Sequence, residues 1–473
     1  MCLATGTLRR TFFVAWTRLD SKAMNSPSQL TFTLRGREAS PRQRYAIACA
    51  LEDVHGLKVN WEINPASGDR TVLLWDKREV ASWFNQPLGW SIWEREKGKA
   101  LRLMLPGFVQ ATEGAGDSVS LPFDPLAATF HALTCWDEQH DKLDLDAHGR
   151  PTTAQLPWRK ESGMARFGSR EIPMSSQHHW PWIEVMWHAI LNDVADLPAL
   201  RMSCQPTFDV DVAYKHLGRP RWKSLLLQAR DLVLGRWSLV AERLHTLRGK
   251  KKDAFDTYGW IRDCHSKESV GWFVLAAERK PPHDIGLDPN GEVLPALVEV
   301  LGEGNDVVGW HPSYVAVDSQ TARDLEKVRF ESWRHGNARV VRTHYLRGTP
   351  GRWWHEAVAL GLESDASLGW SRDVGFRAGF SRPFVAYDLE TESNFPLVVR
   401  PLALMDTAMR VGLVWSSLDA RGHMEDMMEL VQEVGGTWMS CWHNTSVSDE
   451  GEWQGWRATY LHMVEVARRL QGA

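Results

Sequence analysis

The chain has 473 residues, 43% of them hydrophobic and 24% charged, with a formal net charge of −4. That composition belongs to a globular protein rather than a disordered or fibrous one, and the charge gives no overall electrostatic case for nucleic acid or an anionic membrane as main partner. No apolar run approaches the roughly 18 to 20 residues needed to span a bilayer, and the length predicts two to three domains.

At the N-terminus, Arg9-Arg10 precedes an apolar stretch, Thr11 to Trp16, that is too short for a secretory signal. Met24 is an alternative start. Six cysteines (Cys2, Cys49, Cys135, Cys204, Cys264 and Cys441) are scattered without a CxxC pair. Such spacing predicts reduced thiols and a cytoplasmic setting. Tryptophan is abundant, at 25 residues. Its rings serve either as core fillers or as faces for stacking on sugars.

Residues 1–200 read as a separate α+β extension domain of unassigned role. Pro41 to Glu52 carries apolar residues at helical spacing after a Ser-Pro start. Leu73-Leu74-Trp75 and Leu101 to Leu105 are strand-like runs. Leu121-Pro122-Phe123-Asp124-Pro125 opens a helix running to about Asp137, Asp141 to Pro157 is turn-rich, and Trp180 to Leu191 is again helical. His178 and His179 are adjacent, so they cannot share a helix face, and the expectation is a surface position.

From residue 201 to 473 short apolar runs alternate with helical segments. Seven strands are predicted: Ser203–Asp211, Val270–Ala276, Asp306–His311, Ala338–His344, Leu362–Trp370, Leu397–Leu404 and Thr437–His443. Between them lie amphipathic stretches such as Glu292–Leu301, Thr321–Arg334, Arg352–Leu360 and Glu425–Val434. The alternation predicts parallel βα units, in a doubly wound sheet or a barrel. The basic run Arg248 to Lys252 between the first two strands is read as a solvated loop.

Within the first strand, Thr207-Phe208-Asp209-Val210-Asp211 places two carboxylates on one side, because side chains alternate along a strand. Like charges so close repel unless a cation or a proton lies between them. A metal ion is one remedy, and capping of the following turn is the other reading. His311, His344 and His443 end later strands and Asp365 lies in another. In parallel α/β folds, functional groups gather at the carboxyl ends of strands, so these residues are expected in one mouth.

The stretches Pro206 to Tyr214, Gly309-Trp-His-Pro-Ser-Tyr314, Arg342-Thr-His-Tyr-Leu346, Gly375-Phe-Arg-Ala-Gly379, Pro383-Phe384 with Tyr387-Asp388, and Ser440-Cys-Trp-His-Asn444 resemble the NodB-type polysaccharide deacetylase superfamily. They are most similar to its bacterial members with a long N-terminal extension. Leu121 to Asp124 resembles part of that extension, and Glu452 to Arg457 the family's C-terminal end. The resemblance implies an irregular (β/α)7 barrel and removal of acetyl groups, N- or O-linked, from a carbohydrate or polysaccharide with a divalent metal, most often Zn2+.

Carried over residue by residue, the resemblance implies Asp209 as general base and Asp211 as metal ligand. His311 matches the family's metal-binding His-Ser/Thr-x-x-x-His pattern, but the second histidine is missing from it. His344 is the candidate for that third ligand. Arg342 matches an arginine that orients the base, and His443 the general acid. Arg377, Tyr314, Asp406 and Trp442 are the candidates for binding substrate; for Arg377 and Asp406 the other reading is that they support the site from behind, and Arg377 has a structural salt bridge as a further one. Asp365 is expected to be supporting. Two other classes stay open: a degenerate barrel that binds glycan without turnover, because of the missing histidine, and a haloacid-dehalogenase-type phosphatase, for which the expected later acidic cluster is lacking and the strand-end histidines would have no role.

Overall fold

The computed structural model describes residues 31–55, 57–75, 78–85, 119–121, 124–140, 145–155, 164–167, 170–191 and 200–472. The fold is mixed α/β. A five-stranded sheet, in the order β2-β1-β3-β4-β5, is built from β1 (Thr31–Gly36), β2 (Lys58–Ile63), β3 (Arg70–Trp75), β4 (Arg78–Phe84) and β5 (Val119–Ser120). β6 (Met164–Phe167) and β7 (Arg170–Pro173) form a separate antiparallel ribbon. The helix at Pro41–Ile47 starts where sequence places it, with Ser40 and Gln43 forming a capping box and Pro41 at the first turn. Asp124 caps Pro125–Leu133 with its side chain alone, accepting from the amides of Leu126 and Ala127. The expected strand at Leu101 to Leu105 and residues Pro122-Phe123 lie outside the described residues.

The second sheet has nine strands: β8 (Ser203–Val210), β9 (Gly271–Leu275), β10 (Val307–His311), β11 (Val340–Val341), β12 (Ser364–Asp365), β13 (Phe384–Asp388), β14 (Ser393–Val399), β15 (Leu404–Met405) and β16 (Thr437–His443). Their order is β13-β14-β12-β11-β10-β9-β8-β16-β15. All neighbours pair in parallel except β13 on β14, the antiparallel edge. Among the described residues no ladder joins β15 to the opposite edge, so the sheet is a curled half-barrel.

Where sequence predicts seven strands, the structure differs in three places. The run at Ala338–His344 contributes only two strand residues, because the chain turns at His344–Leu346. Leu362–Trp370 likewise shortens to Ser364–Asp365. Leu397–Leu404 divides between β14 and β15, and β13 is an addition.

Two apolar layers hold this sheet. β9 reads Gly-Trp-Phe-Val-Leu and is buried on both faces, as a central parallel strand must be. On one face Phe208, Trp272, Trp310 and Trp442 pack with the helices in the large core. On the other, Phe273, Leu346, Ala366, Leu402, Met405, Met439 and Cys441 form a small second cluster. Gly309 is required there, since a Cβ at that position would meet the Phe273 ring at 2.7 Å. Strand alternation thus puts Asp209, Cys441 and His443 on the side of the small cluster, and their neighbours in the large core.

Candidate metal centre

β8 and β16 lie in parallel register with His443 opposite Asp209. That register brings the two expected catalytic groups together before any loop is considered. Arg342, one residue past β11, is wholly buried beneath them. Its Nη1 donates to Asp209 Oδ1 at 2.8 Å, its Nε donates to Ala366 O at 3.0 Å, and its guanidinium lies 4.1 Å from the Phe273 ring centroid. The Cys441 thiol donates to the other Asp209 oxygen at 3.2 Å. Burial alone would raise the Asp209 pKa, but Arg342, with His311 and His443, outweighs it and holds the carboxyl below its usual value.

Asp211 is the meeting point of three imidazoles. His311 Nε2 lies 3.2 Å from Asp211 Oδ1, while His344 Nε2 and His443 Nε2 lie 3.3 Å and 3.4 Å from Asp211 Oδ2. Each ring is oriented from behind through Nδ1. His311 Nδ1 bonds to Arg342 O, His344 Nδ1 to Asp284 Oδ1 at 2.9 Å, and His443 Nδ1 to Asp406 Oδ1 at 2.8 Å. An Nδ1–H donated in this way leaves the Nε2 lone pair pointing at Asp211 in the neutral ring. Burial would raise the Asp211 pKa, yet His344, with His311 and His443, brings it well below the carboxylate value.

The donor set suits a divalent cation. Asp211, His311 and His344 offer ligand atoms that lie within 4.8 Å of one another. His311 Nε2 and Asp211 Oδ1 are both buried, and neither has a hydrogen-bond partner among the described residues. A cation between His311 Nε2 and Asp211 Oδ1, 3.2 Å apart, would satisfy both atoms together. The carboxylate behind His344 is the usual support for a ligating imidazole.

Local backbone explains how His344 reaches this point. His344 N donates to Pro312 O at 3.0 Å, tying it beside His311. The next two residues, Tyr345 (φ 64°) and Leu346 (φ 52°), are both left-handed, an uncommon and strained pair for non-glycine residues. Asp365 acts one step further back: it accepts from Ser367 N at 2.9 Å and from Ser367 Oγ, and that hydroxyl accepts from Thr343 N at 2.9 Å.

Trp442 and His178 depart from expectation here, and for Asp406 and Arg377 the structure favours the supporting and salt-bridge readings. Trp442 was expected at the substrate, but strand alternation turns its ring into the large core, fully buried against Tyr460 at 5.0 Å. Asp406 is wholly buried behind His443, accepting from that residue's Nδ1 and its amide, so it orients the imidazole instead of meeting a ligand. Arg377 has its guanidinium committed to a buried two-pronged pair with Glu138, with Nε donating at 2.8 Å. His178, expected at the surface, is buried, 3.2 Å from Asp373. His179 is 3.4 Å from the same carboxylate, which also accepts from Thr153 Oγ1 at 2.6 Å.

Tyr314 stays close to the centre. Its ring stacks on His283 at 3.9 Å and its hydroxyl is 3.1 Å from His148 Nδ1. Tyr345 packs against both and against His344 at 4.7 Å. Asp284 and His148 were not legible as partners in sequence, since each lies in a loop without periodic signal. Asp284 does stand directly after His283, and a His-Asp pair in a turn is the trace that was there to find.

No family model matches the chain, and no curated protein matches it. A solved structure from Mycobacterium smegmatis, described as a proposed polysaccharide deacetylase, aligns with a TM-score of 0.37 and 14% identity over 58% of this chain and 86% of that one. A likeness at that level carries no argument, and the functional reading rests on the site itself.

Proposed function

We propose that this chain is a metal-dependent hydrolase that removes acetyl groups, N- or O-linked, from a carbohydrate or polysaccharide. The observation that carries the reading is the convergence of three Nε2 atoms on Asp211, each ring fixed through Nδ1, beside an Asp209 held by Arg342 and the Cys441 thiol. Asp211, His311 and His344 would hold the ion. Two imidazoles and one carboxylate leave open positions and suit Zn2+. When bound, such an ion lowers the pKa of water and polarises a carbonyl oxygen.

The residues of the chain divide the remaining work. Asp209, kept ionised by Arg342, accepts the proton of the water that attacks the acetyl carbon. Its Oδ2 lies 3.8 Å from His311 Nε2, at the edge of the ligand cluster where that water would stand. His443 is the complementary acid. Burial would lower its pKa, but Asp406 and Asp211 raise it well above the ordinary imidazole value, which favours the protonated ring an acid needs. As the C–N or C–O bond breaks, that proton passes to the departing nitrogen or oxygen, and acetate is the other product. The reading keeps the division of the chain near residue 200, with a barrel-like deacetylase unit after it.

His344 lies close enough to Asp211 and His311 to complete a three-ligand set in place of the histidine missing from the His311 segment, which supports turnover over glycan binding alone. Acetate release from acetylated chito- and xylo-oligosaccharides tests the reading. The wild type should release acetate, and Asp209→Asn should keep its metal and lose turnover. Absence of release from every acetylated sugar, by a metal-loaded protein, would favour the binding-only alternative.

A further inference from the structure

A helical hairpin between β8 and β9 inverts the pattern of a soluble helix. Its helices span Arg221–Val233 and Trp237–Leu247. The positions it buries are mostly polar: Ser224, Asp231, Arg243 and Thr246. The two helices are tied by Arg243 Nη2 donating to Asp231 Oδ2 at 2.7 Å, with Gln228 accepting from the same guanidinium at 3.2 Å. The large apolar side chains face out instead. Trp222 is 58% exposed, Leu225 69%, Leu226 62%, Val233 87% and Trp237 67%. Scattered apolar residues on a surface are ordinary, but a run of this density on one hairpin marks an interaction site.

Charge identifies what the site fits. Residues 221–252 hold nine lysines and arginines against two carboxylates, a net +7 in a chain whose total is −4. The near-neutral total therefore conceals a local basic patch, and the run at Lys250 to Lys252, read from sequence as a plain solvated loop, is its end. A second copy of the same face would set +7 against +7, so self-pairing is opposed. Exposed Trp and Leu flanked by Lys and Arg are what an interfacial helix presents to acidic headgroups, with indole rings at the boundary.

We propose that this hairpin docks the protein on the surface of an anionic phospholipid bilayer, with Trp222, Leu225, Leu226 and Trp237 entering the headgroup boundary and the basic run lying over it. Its base is fixed to the metal-centre end of the sheet. Asp253 accepts from the amides of Lys215 and His216 at 2.8 Å and 2.7 Å, and Lys215 pairs with Glu242 at 2.8 Å, all within the segment that follows Asp211. Docking would thus present that end of the sheet to the membrane. The proposal does not depend on which reaction the centre performs.

Co-sedimentation of the full chain with vesicles of phosphatidylcholine plus phosphatidylglycerol, against vesicles of phosphatidylcholine alone, tests it. Two variants are compared: Trp222→Glu with Trp237→Glu, and Lys250→Gln with Lys251→Gln and Lys252→Gln. All five positions are exposed, and circular dichroism checks that each variant is folded. The wild type should sediment with the anionic vesicles and leave them as salt is raised. The tryptophan pair variant should lose that binding, and the triple lysine variant should bind on the order of a hundredfold more weakly. Wild-type protein that stays in the supernatant, or variants that bind as wild type does, would overturn the proposal. So would a wild-type dimer that ignores vesicles and becomes monomeric in the tryptophan pair variant, which would assign the face to a second copy.

Discussion

His344 stands between two carboxylates, with Nδ1 2.9 Å from Asp284 Oδ1 and Nε2 3.3 Å from Asp211 Oδ2. On the proposed reading, the first contact orients the ring and the second is where an ion would bind, so Asp284 would govern a ligand from behind. Asp284 also accepts from Tyr314 N at 3.0 Å, which fixes the carboxylate in turn. Asp284→Asn should therefore weaken divalent-ion affinity about 10- to 100-fold while the fold persists. Competition with a chromogenic chelator measures it, and an unchanged affinity would remove Asp284 from the account.

Proton release follows from the same residue. Burial would lower the His344 pKa, but the Asp211 carboxylate outweighs it and pushes the value up to about 9. A folded value above the unfolded one means that this stabilisation of the ion-free protein is complete below the unfolded value of about 6.5 and fades as pH rises through about 9. Binding an ion at Nε2 must expel the proton held there. Calorimetry in buffers of different ionisation enthalpy should show protons released on ion uptake at neutral pH, and affinity should climb as pH is raised toward 9. Affinity independent of pH would exclude His344 as a ligand.

Asp406 should control the alkaline limb of the reaction. It accepts from both the ring and the amide of His443 and is one of the two charges that keep the imidazole protonated. Asp406→Asn should leave metal content unchanged, lower kcat, and move the alkaline limb of the pH–rate profile to lower pH, since the acid loses its proton sooner. A limb that does not move would show that some other group supplies the proton.

Arg342 and Asp209 form a buried pair whose partners cannot be removed singly without leaving a bare charge. Arg342→Met should destabilise the protein by about 3–5 kcal/mol in urea unfolding, and the added Asp209→Asn change should recover much of that loss. Equal stability of the two variants would mean that Asp209 is solvated from elsewhere.

Sequence carried the parts of this structure that repeat. β8 and β16 were legible as short, largely buried apolar runs ending in polar residues, whereas the register that sets His443 opposite Asp209 was not. The helix at Gln320–Arg334 was legible from its amphipathic spacing, and its Ser319 cap is added by the structure. The short strands β11 and β12 were over-extended, since two residues of ladder leave no period to read. Which face a side chain takes is also lost when a strand end is misplaced. Trp442 sits one residue from both Cys441 and His443, and only the register separates a core ring from a site ring. Asp284, His148 and the Asp373 partner of His178 come from loops, where contacts depend on distant segments. The hairpin at Arg221–Leu247 showed its basic and apolar residues in sequence, but not that its polar face is the one turned inward.

The central claim is that Asp211, His311 and His344 hold one divalent ion, and elemental analysis of the purified, untagged protein beside Asp211→Ala tests it most directly. The account predicts one zinc-like ion per chain in the wild type and none in the variant, with His344→Ala also losing its ion. No ion in the wild type after incubation with Zn2+, or an ion retained by Asp211→Ala, would contradict it.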